Sequence, residues 1–134
     1  MLSKIVYEKR PNVLNFNEIL FSGSRKPQFP GYRCFTVNCG HGKSGGGVGT
    51  CFDSSLAGSV LKIKEGEKNE MLVTRLDNFY TPINIINIYG EQESRTTKED
   101  LESNWAEVLD VLADIEAKDE AAIVVGDLNK KWVI

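Results

Sequence analysis

Five apolar residues, Ala121-Ala122-Ile123-Val124-Val125, run directly into Gly126-Asp127-Leu128-Asn129. A short apolar run of this kind, ended by glycine, reads as a buried strand. On an extended segment the side chains of residues i and i+2 point the same way. Asp127 and Asn129 then set a carboxylate and a carboxamide side by side at the rim of a sheet. An acid there can orient or deprotonate a water, and an amide there can hold a phosphate oxygen.

A second apolar run, Ile83-Asn84-Ile85-Ile86-Asn87-Ile88, ends in Tyr89-Gly90. Between the two runs Leu101, Trp105, Val108, Leu109, Leu112 and Ile115 recur on one face of a helix. Thr96 with Glu99 fits a capping box at its start. Upstream, strands are predicted at 13–16, 32–37, 48–52, 59–64 and 70–76. A loop at 22–31, a glycine-rich turn at 38–47 and a hairpin turn at 65–69 separate them. Residues 2–9 read as the end of a helix closed by Pro11. The order is α+β or layered α/β, and 134 residues suffice for one domain. The expected core has Ile85, Ile88, Val124 and Val125 buried, with Trp105 and Leu109 packed onto the sheet.

Charge and composition remove several classes of function. A net charge of −3 gives no general affinity for polyanions. No apolar run reaches the length of a membrane span, and the first ten residues lack the apolar core of a signal peptide. Cys34, Cys39 and Cys51 form no CxxC pair and are expected as free thiols in a reducing, intracellular setting, cytoplasmic or nuclear. His41 is the single histidine, which argues against a catalytic triad or a histidine metal cluster. Gly42-Lys43-Ser44 would need glycine at position 37 to complete a phosphate-binding P-loop, and Val37 stands there.

Taken in order, these residues resemble the endonuclease/exonuclease/phosphatase superfamily, with retroelement endonucleases the nearest in character. Val13-Leu14-Asn15-Phe16-Asn17-Glu18 resembles the strand that ends in a metal-binding glutamate. Phe29-Pro30-Gly31-Tyr32 and Gly45-Gly46-Gly47-Val48 resemble the passage that follows it. Ile85-Ile86-Asn87-Ile88-Tyr89-Gly90 and Ile123-Val124-Val125-Gly126-Asp127-Leu128-Asn129 are similar to the two later motifs.

The resemblance implies a partial four-layer α/β sandwich of mixed, mainly antiparallel sheets flanked by helices, and phosphodiester hydrolysis with Mg²⁺ or Mn²⁺. By position, Glu18 would bind the metal and Asp127 would act on the attacking water. Asn129 would hold the scissile phosphate, Tyr89 would stabilise transition-state charge, and Arg95 would contact phosphate. DNA is the implied partner of a complete domain. The family's opening asparagine strand and closing Asp-His pair have no counterpart here, so residues 1–134 read as one partial domain, inactive or nearly so alone. Uncovered sheet edges then favour self-association. A small-phosphoester phosphatase on the same scaffold, or a non-catalytic interaction fragment, are the competing readings.

Overall fold

The computed structural model describes residues 8–17, 29–37, 47–57, 60–66, 70–77, 80–89 and 98–127. Strands β1 (Val13–Asn17), β2 (Tyr32–Val37) and β3 (Val48–Asp53) form an antiparallel sheet in the order β1-β3-β2. A four-residue helix α1 (Ser54–Ala57) follows β3. It has no counterpart in the sequence expectation. Strands β4 (Val60–Glu65), β5 (Glu70–Leu76), β6 (Ile83–Tyr89) and β7 (Ala121–Asp127) form a second sheet in that order. Its first three strands are antiparallel and β6–β7 is parallel, with helix α2 (Lys98–Ala117) as the crossover. The described residues thus stack a helix, a four-stranded sheet and a three-stranded sheet, an incomplete α/β sandwich.

Both faces of the four-stranded sheet are covered over its central strands β5 and β6, and alternation along the strands sorts the side chains between them. On the helix side Met71, Val73, Ile86 and Ile88 are buried against Val108, Val111 and Ile115, with Trp105 and Leu112 packed at the margin. On the other side Val60, Leu76 and Ile85 meet Phe52, with Val13, Phe35, Ile83 and Val125 around them. Full burial of each such aliphatic or aromatic side chain stabilises the fold by ~1.5–3 kcal/mol. A third cluster, Phe29 and Cys51 with Leu14, Phe16, Tyr32 and Cys34, lies on the outer face of the three-stranded sheet.

Local features fix the joints. Helix α2 ends in a left-handed turn at Asp119 (φ 56°), where the Glu120 N–H donates to the Ile115 carbonyl and the Asp119 N–H donates to Glu116. That is the paired hydrogen bonding of a Schellman end, here without glycine. Glu120 accepts a hydrogen bond from Asn84 Nδ2 at 2.9 Å and lies 3.8 Å from Arg75, which ties the start of β7 to β5 and β6. At the other sheet, Gly31 (φ 84°) lets the Arg10 guanidinium occupy the place a Cβ would take, 2.6 Å away. Arg10 then reaches Asp53 at 3.6 Å and lies over the Tyr32 ring, whose hydroxyl donates to the Pro11 carbonyl at 2.6 Å. The Pro30-Gly31-Tyr32 motif is therefore a structural clamp on the first strand.

Three expectations are corrected. Val124 and Leu109 are exposed, at 46% each, where both were expected in the core. Val124 stands opposite Ile86 in register, but among the described residues β7 is at the edge of the sheet and the buried helix cluster is centred on β5 and β6. Leu109 lies about 100° around the helix from Val108, and the buried stripe runs through Val111 instead. The third correction concerns the cysteines. Cys34 and Cys51 are directly opposite in the β2–β3 register and are joined as a disulfide, not free thiols. Cys39 lies outside the described residues.

The burial pattern yields a paired expectation. Ile86→Ala should lower the unfolding free energy in urea by ~2–5 kcal/mol, whereas Leu109→Ala, on the helix surface, should change it by no more than about 0.5 kcal/mol. Equal losses at both positions would contradict the layer assignment.

Candidate active site

The space between the two sheets changes character along its length. At one end it is filled by Val13, Phe35, Phe52, Leu76, Ile83, Ile85 and Val125. Two residues further along β1, β3 and β6, the inward positions become Asn15, Thr50 and Asn87, and then Asn17 and Tyr89. Thr50 and Asn87 are fully buried. Buried polar groups persist only when hydrogen-bonded, and this set largely satisfies itself. Asn17 Nδ2 donates to Asn87 Oδ1 at 2.7 Å, and Thr50 Oγ1 donates to Asn15 Oδ1 at 2.8 Å. Asn87 Nδ2 in turn donates to the Gly49 carbonyl at 2.9 Å and reaches the Phe16 carbonyl at 3.3 Å. One carboxamide on β6 thus holds β1 and β3 of the facing sheet.

This polar end is where the strands of the second sheet finish their chemistry-bearing residues. Across β5, β6 and β7 the register aligns Glu70, Tyr89 and Asp127 in one row. Tyr89 is half-buried, two residues beyond Asn87 on the same strand. The Glu70 carboxylate accepts a hydrogen bond from the Gly47 N–H at 2.7 Å, which pins the entry to β3 against this row. Asn17, opposite Val48 at the end of β1, completes the rim from the facing sheet.

Gly126 explains the glycine before Asp127. Its φ of 128° is one that side-chain-bearing residues rarely adopt, and a Cβ there would fall 2.0 Å from the Ile88 carbonyl oxygen. Glycine alone lets β7 come this close to β6 and turn just before the aspartate.

Of the site residues proposed from sequence, the structure describes Tyr89 and the backbone of Asp127, and it brings these two into register as neighbours. Glu18, Arg95 and Asn129, with the Asp127 side chain, lie outside the described residues. Glu18 directly follows Asn17 in the chain, and Asn17 is tied to β6 two residues before Tyr89. The one residue expected to bind a metal, Glu18, carries a carboxylate, an oxygen donor of the kind a hard divalent cation such as Mg²⁺ takes. Among the described residues no group of three or more His, Cys, Asp or Glu forms a metal cluster, and none of the described helices is long and apolar enough to cross a membrane. The clearly shifted titrations lie elsewhere. Asp53 is held below the usual carboxylate range by the Ser55 backbone N–H and Arg10, and Arg75 is raised by Asp77.

Sequence reasoning missed Asn17, Glu70 and Asn87. The signal for Asn87 was present: a carboxamide two residues before Tyr89 in a largely apolar strand, which also carries Asn84, must find partners on the same face. For Glu70 no local pattern reveals the Gly47 amide it meets 23 residues away.

This arrangement of sheets and crossover helix has the fold of solved TDP2 and Nocturnin structures. TDP2 from Caenorhabditis elegans superposes with a TM-score of 0.64 at 16% identity, over 97% of this chain and 41% of that one. A D. rerio TDP2 humanized by 14 mutations gives 0.60 at 14% identity, covering 97% and 57% of the two chains. The human Nocturnin catalytic domain with bound sulfate anion gives 0.60 at 15% identity, covering 97% and 55%. The chain therefore spans about half the length of these solved proteins. No protein-family model and no curated protein matches the sequence.

The network makes a direct prediction. Asn87→Ala removes the hydrogen bonds to the Gly49 carbonyl and from the Asn17 amide, and a buried group left unsatisfied costs about 1–3 kcal/mol. Urea unfolding should show a loss of that size, and hydrogen exchange should speed up in β1. An Asn87→Ala chain as stable as the parent would mean that the sheets are held by apolar packing alone.

Proposed function

We propose that this chain is part of a divalent-metal-dependent phosphodiester hydrolase of the nuclease type, derived from a retroelement endonuclease, and that DNA is the substrate of the complete domain. The alignment of Tyr89 with Asp127 at the polar end of the sandwich carries the reading. The order and spelling of the motifs at 13–18, 29–32, 45–48, 85–90 and 123–129 favour retroelement ancestry. That the human Nocturnin domain was found with sulfate supports an oxyanion as the ligand of this fold. A cytoplasmic or nuclear place is proposed from the DNA substrate alone, because the Cys34–Cys51 disulfide removes the free-thiol argument for a reducing compartment.

In this reading the Asp127 carboxylate orients the attacking water and accepts its proton. The Asn129 carboxamide donates to a non-bridging oxygen of the scissile phosphate. The Tyr89 hydroxyl donates to the phosphoryl oxygen on which charge builds, where a preorganised donor is most effective. Arg95 adds a positive charge to the substrate backbone. Glu18 would hold the divalent ion, which supplies Lewis-acid stabilisation of the developing charge. The Asn17–Asn87 bond sets the spacing between the Glu18 and Tyr89 strands.

Groups that act as one unit lose most of their effect when a member is absent. Neither the opening asparagine nor the closing Asp-His pair of the resemblance is found within the 134 residues. The purified chain should therefore give no Mg²⁺-dependent nicking of supercoiled plasmid above buffer, while a longer relative with the same motifs should nick. Nicking by the chain that needs Mg²⁺, stops with chelator and is lost in Asp127→Ala would overturn the inactivity. Failure of the longer relative to cleave any phosphodiester would overturn the nuclease assignment.

A further inference from the structure

Cys34 and Cys51 face each other in the β2–β3 register and are bonded, although 17 residues separate them along the chain. The bond lies on the outer face of the three-stranded sheet, with Leu14, Phe16, Phe29 and Tyr32 around it. The two cysteines are unequally covered. Cys51 is fully buried, and Cys34 is half-buried. The residues just before Cys51 on β3 hold the interior network. Thr50 donates to Asn15 Oδ1, and the Gly49 carbonyl accepts from Asn87 Nδ2. The crosslink is therefore made to the strand on which the polar contacts between the sheets depend.

We propose that Cys34–Cys51 is a redox switch, opened and closed by thiol–disulfide exchange with glutathione, that sets how firmly β3 holds the polar network. The proposal rests on the reading of the chain as a DNA hydrolase, because that reading places it in the cytoplasm or nucleus. Thiols are kept reduced there, and the disulfides that do form are usually transient, catalytic or redox-sensing. This bond lies on the face of the sheet away from the interior polar residues, which leaves regulation rather than catalysis. Exchange depends on access to the sulfur, so Cys34 is the point of entry. In closing, the Cys34 thiolate attacks one sulfur of oxidised glutathione and expels one glutathione thiolate. The Cys51 thiolate then attacks the Cys34 sulfur of the mixed disulfide and expels the second. Two cysteine thiols are oxidised, oxidised glutathione is reduced, and the two protons end on the two glutathione thiols. Opening is the reverse, starting with a glutathione thiolate on Cys34 Sγ. The closed ring restricts the chain between Cys34 and Cys51 and favours the β2–β3 pairing. The open form keeps the backbone ladder without the covalent tie.

The isotope-labelled 134-residue chain, equilibrated with reduced and oxidised glutathione in varied ratio, tests this. Thiols are counted by alkylation and mass, and the fold is followed by NMR. Excess reduced glutathione should open the bond, and oxidised glutathione should close it again. The amide signals of Ile86, Val108 and Ile115 should stay dispersed throughout. On opening, the side-chain amide signals of Asn17 and Asn87 should shift and exchange faster with solvent. Cys34→Ser should show the open pattern at every ratio, and Cys39→Ser should switch as the parent does. A bond that resists excess reduced glutathione, global unfolding on opening, unchanged Asn17 and Asn87 signals, or loss of closure in Cys39→Ser would each overturn the switch. Neither metal nor DNA enters the experiment, so such a result leaves the hydrolase reading standing. A longer relative that fails to cleave would remove that reading and leave the measured exchange as it is.

Discussion

The Asn17–Asn87 hydrogen bond is the contact on which the rest of this structure depends. Two sheets can face each other through apolar packing at many registers, because dispersion is short-ranged but not directional. A buried carboxamide is directional, and leaving it unpaired is costly. Asn87, with no exposed surface, accepts from β1 and donates to β3, so only one relative placement of the sheets satisfies it. The apolar end of the interior supplies the larger share of the stabilisation. The polar end specifies where the strands come to rest.

That division explains how the fold reaches toward chemistry. The same three strands that carry Val13, Phe52 and Ile83 at one end of the interior carry asparagines, threonine and tyrosine toward the other. The interior hydrogen bonds hold the ends of β1 and β6 together without filling the rim. Gly126 brings β7 against the Ile88 carbonyl, which fixes Asp127 beside Tyr89 at a distance that a bulkier residue would forbid. Glu70 adds the third fixed point by binding the Gly47 amide. Convergence at this end thus comes from backbone register and internal polar bonds.

The elements themselves were legible because each carries a strong local pattern. The strands at 32–37, 70–76 and 83–89 appear where alternation or β-branched runs put them, and the helix follows its apolar repeat. The layered α/β class followed from that order. What was not legible depended on neighbours. Val124 has the composition of a core residue, and only the sheet order reveals that β7 stands at an edge among the described residues. Leu109 belongs to the apolar repeat by spacing, but the face that is buried is set by which strands lie beneath the helix. Cys34 and Cys51 are 17 residues apart, and their pairing exists only in the β2–β3 register. The polar rim was legible only in part. Tyr89 and Asp127 stand out as polar residues that end apolar strands, while Asn17 and Glu70 act through partners distant in sequence.

The central claim is that the polar end of the sandwich, and not another surface, is where a divalent cation and phosphate would be met. Paramagnetic line broadening of backbone amides by Mn²⁺ tests it without requiring turnover, since weak binding suffices. The amides of Asn17, Gly47 and Tyr89 should broaden first, those of Val13, Arg75 and Ile83 at the opposite end should stay sharp, and excess Mg²⁺ should reverse the effect. Broadening centred on the opposite end, or spread evenly over the acidic surface, would contradict that claim.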